Sequence, residues 1–241
     1  ITSETRVLVT SSGEKIALVK AINKGLKKYD QNGKLICADS NKNSISKLFC
    51  DDFWNMPSTE NSNFEIILSK LIEKKINIIF PTRDGELKFW AENSEKLNSY
   101  GISVIISPLE SIEICHNKMN FYEFGLSKKF NFIKTSKDIN SIKSERYVVK
   151  EQFGAGAKSI GLNLSKLDAI KHSKHLKAPI FQPYIEGQEI SIDAWLDNNN
   201  NVKGVILRTR DLVIEGESKI STTFKNTDIE NISIQILEAL N

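Results

Sequence analysis

Two rhythms of apolar residues share the first hundred positions. Residues 6–10 (RVLVT) are a short apolar run, and the stretch that follows carries Ile16, Val19, Ile22, Leu26 and Tyr29 at helical spacing. Ser11, Ser12 and Gly13 make the turn between them. Asn32-Gly33 ends the helix, and residues 34–38 (KLICA) read as the next strand. Strand, helix and strand in that order predict a parallel sheet with a right-handed crossover. The pattern returns further on. Phe64, Ile67, Leu68, Leu71 and Ile72 share one face of a helix over 64–75, and residues 76–80 (INIIF) are apolar throughout, as in a sheet buried on both faces. A helix over 86–98 and a strand over 102–106 complete an open sheet of about four strands, closed by Ser107-Pro108. Residues 51–63 are polar and read as a loop, with Phe53 and Trp54 plugging the sheet edge or an adjoining groove.

The rhythm changes after residue 108. Residues 111–127 read as one helix or as a pair broken at Asn117-Lys118, and 128–145 as a polar connector. Tyr147, Val148 and Val149 are strand formers, and a second short apolar run covers 159–164. A lysine-rich helix is predicted over 165–176, and a strand over 181–185 whose Pro183 suggests an edge or a crossing between lobes. From Glu189 the chain alternates: Glu189, Ser191, Asp193 and Trp195 point one way, and Ile190, Ile192, Ala194 and Leu196 the other. That polar row fits the wall of a cleft. A turn at 198–201 leads to a return strand over 202–214, with Arg208 and Arg210 on one face. A glycine turn over 215–218, a strand over 219–225 and a last helix capped by Thr227 or Asp228 finish the chain. The helix carries Ile232, Ile236, Leu237 and Leu240. An α/β half is thus followed by an α+β half.

Composition narrows the class. The 241 residues are 40% hydrophobic and 26% charged, which is ordinary for a globular protein. A net charge of +3 is too weak to argue for nucleic acid. No apolar run approaches the ~20 residues that span a membrane. The opening ITSETRVLVT has no basic stretch followed by an apolar core, so no signal peptide is expected. Cys37, Cys50 and Cys115 lack metal-ligand spacing and read as the reduced thiols of a cytoplasmic protein.

The chemistry gathers around YVVKEQFGAGAKSIG, residues 147–161. Small residues let a ligand approach the backbone, and glycine permits φ angles that turn several amides to one side. With Lys150 on the incoming strand and Lys158 in the loop, the stretch suits a polyphosphate; a plain hairpin turn needs only about two special residues. Asp84 and Glu86 follow the strand 76–80 at its carboxyl end, where open sheets place ligands. They read equally as acids at the positive end of a helix dipole. Asp39 ends the second strand, as a ribose-binding acid would, yet the turn SSGEK at 11–15 lacks G-x-G-x-x-G, which speaks against a nicotinamide cofactor. Cys115-His116 and the pair His172 and His175 have no partners at metal spacing and read as ordinary surface residues.

In order, these pieces resemble the ATP-grasp superfamily, and within it the carbamoyl-phosphate-synthase-like ligases. The match rests on HNK at 116–118, VVKEQFGAGAKSIG at 148–161, FQPYIEGQEISID at 181–193, RTR at 208–210 and GES at 216–218. FPTRDGEL at 80–87 looks like part of the pre-ATP-grasp domain of such proteins. The resemblance implies a small parallel open-sheet domain over 1–108, an ATP-grasp small lobe over 109–180, and the start of a second lobe over 181–241.

The resemblance also implies roles. Lys118 and Lys150 match the basic residues that hold the ATP phosphates, and Gly154, Gly156, Lys158 and Ser159 belong to the loop that folds over them. Gln182, Tyr184 and Ile185 match the linker bordering the adenine, and Glu189 the acid that accepts from the ribose hydroxyls. Arg208 and Arg210 match positions facing the transferring phosphoryl and the substrate carboxylate. Asp84, Glu86, Gly216 and Ser218 are expected on the substrate side. The implied chemistry is activation of a carboxylate by ATP with Mg²⁺, then attack by an amine or similar nucleophile. Family members continue past this point to the Glu, Glu and Asn that hold Mg²⁺, so no metal ligand is named here. The stretch is expected to be a fragment or a split-gene product, with a homodimer or a partner chain supplying the rest. The alternatives are an ATP-binding module without complete catalysis and an NAD-dependent oxidoreductase.

Overall fold

Val7 and Leu8 point to opposite faces of the first strand, and a separate core grows from each. The computed structural model describes residues 4–154, 156, 159–197, 199–214 and 217–240, with the backbone alone at Glu217. The chain divides into two units, Ile1–Ile112 and Glu113–Asn241.

In the first unit the elements run β1 (Arg6–Val9), α1 (Ile16–Tyr29), β2 (Lys34–Asp39), β3 (Asp52–Asn55), α2 (Phe64–Glu73), β4 (Ile78–Phe80), α3 (Asp84–Glu92), α4 (Ser94–Ser99) and β5 (Ser103–Val104). The five strands form one parallel sheet in the order β3-β2-β1-β4-β5. Val7, Val9, Leu35 and Cys37 pack with Val19 and Leu26 of α1 on one face. Leu8, Ile36 and Ile79 pack with Ile67 and Leu71 of α2 and Trp90 of α3 on the other. Each large aliphatic side chain fully buried this way contributes about 1.5–3 kcal/mol. Helices on both faces are what the alternation within β1 requires.

Several expectations change in detail. The segment read as a loop with plugging aromatics contains β3, whose Phe53 pairs in register with Cys37 of β2. The sheet therefore has five strands. Tyr29 is 81% exposed at the end of α1, and Ile72 is 48% exposed on α2, so the buried stripe of each helix is one residue narrower than its periodicity suggested. The helix expected over 86–98 is α3 and α4, separated at Asn93.

Helix α5 (Leu109–His116) leads into the second unit, which continues with α6 (Lys118–Ser127), β6 (Tyr147–Glu151), β7 (Gly161–Leu164), α7 (Lys166–Ser173) and β8 (Pro179–Pro183). β6 lies between β7 and β8 in an antiparallel sheet, and Tyr147, Val149 and Phe181 pack with Ala169 of α7. β8 is an edge strand, and its two prolines stand at its ends. Then come β9 (Ile190–Leu196), β10 (Val202–Thr209), β11 (Leu212–Ile214), β12 (Glu217–Ile220), β13 (Thr223–Phe224) and α8 (Thr227–Leu240). β9, β10 and β13 form one sheet, β11 and β12 a separate hairpin. The single return strand expected over 202–214 is thus two strands. Asp211 breaks it by accepting from the hydroxyls of Thr209, at 2.5 Å, and Thr222, at 2.6 Å.

Candidate functional site

Helix α6 begins where Asn117 caps it. The Asn117 side-chain oxygen accepts from the amides of Met119 and Asn120, and also from the Gln152 amide group at 2.8 Å. Gln152 is buried and follows β6; its carbonyl accepts the Lys118 N–H at 3.1 Å, and its own N–H donates to Ala178 at 2.8 Å. One buried amide thus ties the start of α6 to the strand that enters the glycine loop. The consequence is placement: Lys118, first residue of α6, comes near enough to Lys150, fourth residue of β6, for its charge to act there.

The charge of Lys118 acts on Lys150. Burial lowers the pKa of Lys150, and the charge of Lys118 lowers it further. Lys118 Nζ also donates to the carbonyl of Gly154 at 2.8 Å. Gly154 and Gly156 take φ of 98° and 76°, in the region only glycine enters freely. Ser159 also takes a positive φ, 57°, and its carbonyl lies 2.9 Å from Nε2 of His172 on α7. Lys158 lies outside the described residues, as does Gly216. Below the loop, the Glu151 carboxylate accepts the amides of Lys177 and Ala178 at 2.8 and 2.9 Å, which holds its pKa below the usual carboxylate range.

The alternating strand β9 meets β10 with Arg208 opposite Ser191 and Ile206 opposite Asp193. Directly opposed residues share a face, so Ser191, Asp193, Trp195, Ile206 and Arg208 stand together. Arg208 grips Asp193 with two bonds, at 2.5 and 3.3 Å, and donates to Ser221 at 3.2 Å. The pairing with Asp193 raises the pKa of Arg208 further. Ser218 lies 2.9 Å from Ser221, at the end of this chain of contacts. Arg210 Nη1 donates to Glu189 at 2.5 Å. Trp195 and Ile206 are 54% and 55% exposed on the same face, an apolar patch beside bidentate charge.

The remaining expected positions make contacts of their own. Gln182 on β8 donates to the Thr135 hydroxyl at 2.7 Å. The Tyr184 amide is taken by the Arg146 carbonyl at 2.8 Å, and Ile185 is exposed. Asp84 and Glu86 belong to the first unit. Asp84 is exposed in the first turn of α3. Glu86 is buried, and its oxygens accept from the amides of Thr82 and Arg83 and from Trp90 Nε1. That carboxylate closes the start of its own helix. Asn117 and Gln152 were missed by sequence reasoning. An Asn ahead of a helix is a recognisable cap signal, but nothing in the sequence announces its second bond, 35 residues away.

Comparison with known proteins follows the same division. Residues 7–105 match the family described as PylC-like, N-terminal domain, and residues 115–241 match the ATP-grasp domain. No curated protein matches this chain in sequence. Among solved structures, an L-amino acid ligase from Bacillus licheniformis is 14% identical with a TM-score of 0.70, over 100% of this chain and 61% of its own. Biotin carboxylase from Campylobacter jejuni, solved as a βγ-ATP complex, is 15% identical with a TM-score of 0.71, over 98% of this chain and 60% of its own. The N5-carboxyaminoimidazole synthetase of Staphylococcus aureus, complexed with ADP, is 13% identical with a TM-score of 0.68, over 97% and 62%. The chain therefore spans about three fifths of the length of these structures. With its family match covering more than half of the residues, the chain belongs to the ATP-grasp superfamily, with a PylC-like N-terminal domain ahead of the ATP-grasp region.

Proposed function

We propose that this chain is an ATP-dependent carboxylate ligase, or the larger part of one. The observation that carries the reading is the approach of Lys118 to Lys150 beside a glycine loop. Two cations near one another, one of them half-buried, attract an anion. A polyphosphate is that anion. The residues therefore suit ATP, which when bound supplies the phosphoryl group that activates a carboxylate.

In this reading Lys118 and Lys150 hold phosphate oxygens as compact charges. The loop through Gly154, Gly156 and Ser159 screens them from water, with Lys158 adding charge. Gln182, Tyr184 and Ile185 border the adenine. Glu189 accepts from the ribose hydroxyls, and Arg208 and Arg210 orient the phosphoryl and the carboxylate. An incoming oxyanion then competes with Asp193 for Arg208 and with Glu189 for Arg210. An amine or similar nucleophile completes the bond. The family resemblance assigns Asp84, Gly216 and Ser218 to the substrate. Mg²⁺ accompanies ATP as part of the family reading; three metal-binding side chains converge nowhere among the described residues, so no ligand is assigned to it. The setting is cytoplasmic.

The test is calorimetry with ATP, AMP and NAD, followed by phosphate release with mixed carboxylates and amines. Binding of ATP, with release that needs both acid and amine, supports the ligase. Binding without release reduces the chain to a nucleotide-binding module. A preference for NAD would overturn the reading.

A further inference from the structure

The first unit brings two cations together where the winding of its sheet reverses. Its sheet order, β3-β2-β1-β4-β5, means that the chain winds outward from β1 through β2 and β3, then restarts on the other side with β4. The loops leaving the carboxyl ends of β1 and β4 thus diverge, to α1 on one face and α3 on the other. Open sheets bind ligands in the crevice where the winding reverses.

The two loops are laced together there. The Thr82 hydroxyl donates toward the carbonyls of Thr10 and Ser11, at 2.6 and 3.0 Å. Lys15 Nζ donates to the Thr82 carbonyl and lies 3.1 Å from the Thr82 hydroxyl. Arg83 Nε donates to the Ser11 hydroxyl at 3.3 Å. Ser11 is held at φ 46°, a left-handed conformation that a serine adopts only when its surroundings impose it. Gly85 makes room for the guanidinium: a Cβ there would stand 2.5 Å from Arg83 Nη1.

Charge decides what the crevice takes. Neither Lys15 nor Arg83 has a carboxylate within ion-pair distance among the described residues. Asp39, the acid that ends β2, spends its oxygens on the amides of Gly13 and Asn41, at 2.8 and 2.9 Å. Glu14 and Asp84 are exposed nearby in sequence. Among the described residues the terminal nitrogens of Arg83 make no hydrogen bond, and a guanidinium fork suits a planar or tetrahedral oxyanion.

We infer that the β1/β4 crevice binds an oxyanion, the carboxylate or phosphate of a small molecule, between Arg83 and Lys15. The inference does not rest on the ligase reading, since the crevice lies wholly within the first unit.

The experiment titrates the full chain with inorganic phosphate and, separately, with succinate, at ionic strength held constant with sodium chloride, following backbone amide shifts of residues 11–15 and 81–85. Saturable shifts are expected with at least one anion, and the tighter of the two names the source. Arg83→Gln should weaken binding about tenfold or more, the loss of one charge-assisted contact, and Arg83→Lys by less. Lys28→Gln, at the far end of α1, removes the same charge and should change nothing. Absence of saturation with both anions would overturn the inference. So would equal affinity in folded Arg83→Gln, or an equal loss in Lys28→Gln.

Discussion

Lys118 Nζ donates to the carbonyl of Gly154 at 2.8 Å, so the first residue of a helix reaches across to the first glycine of the loop. Lys150, on the strand that enters the loop, feels the charge of the same lysine.

Removing the strand lysine should separate nucleotides by their phosphates. Lys150→Ala is expected to weaken ATP by about 1.5–3 kcal/mol, the worth of a hydrogen bond to a charged group, and AMP far less. Calorimetry with both nucleotides checks this. Equal losses would place Lys150 away from the β and γ phosphates.

The same lysine should cost the empty protein stability. Its folded pKa is lowered from the ordinary 10.5, first by burial and then by Lys118. The folded chain therefore releases a proton that the unfolded chain keeps, so stability rises with pH between the depressed value and the ordinary one. Lys150→Met should melt higher at neutral pH, by about 2–4 °C for each kcal/mol relieved, and should flatten that rise. Thermal melts at neutral and alkaline pH decide it; a lower melting point in the variant counts against the electrostatic account.

Glu189→Gln keeps the shape of the side chain and removes the charge that meets Arg210. If the carboxylate serves the ribose, ATP, ADP and AMP should all weaken together, by about tenfold. Unchanged binding in a folded variant would leave Glu189 as a partner of Arg210 alone.

Glu86→Gln tests the opposite kind of role. The carboxylate receives three donors in a buried place, and an amide group there turns a donor against at least one of them. The expected loss is about 1–3 kcal/mol of stability, read by urea denaturation with the Trp90 fluorescence. A variant of undiminished stability with impaired turnover would return Glu86 to the substrate side.

The parallel half of the fold was legible because its strands are buried on both faces, which makes them continuous apolar runs. β3 escaped because DFWN carries its two aromatics between polar residues at a sheet edge, where periodicity is short and weak. Tyr29 misled because helical spacing fixes a side chain's direction, not whether anything covers it. In the second half, the glycine loop and its lysines could be read as one unit, since they are neighbours in sequence. Asn117 with Gln152, and Arg208 with Asp193, are pairings made by tertiary folding across tens of residues or a hairpin, and no local pattern encodes them. The acid at Glu86 stood between two readings until burial and three donors gave its carboxylate a local use.

The anchoring of Glu151 gives the loop a pivot. Its carboxylate is pinned by the amides of Lys177 and Ala178, and the next residue, Gln152, is bonded to Asn117, Lys118 and Ala178. The first positive φ after these contacts is at Gly154. A hinge at that point would leave Lys150 in place, because the anchored residues Glu151 and Gln152 stand between them. The ordering cost of bringing two lysines together is then met once, when the protein folds, and not at each encounter with a ligand. Changes to the loop and changes to the lysines should accordingly be separable in kinetics: loop substitutions act on how long a ligand stays, and lysine substitutions on how strongly its charge is held.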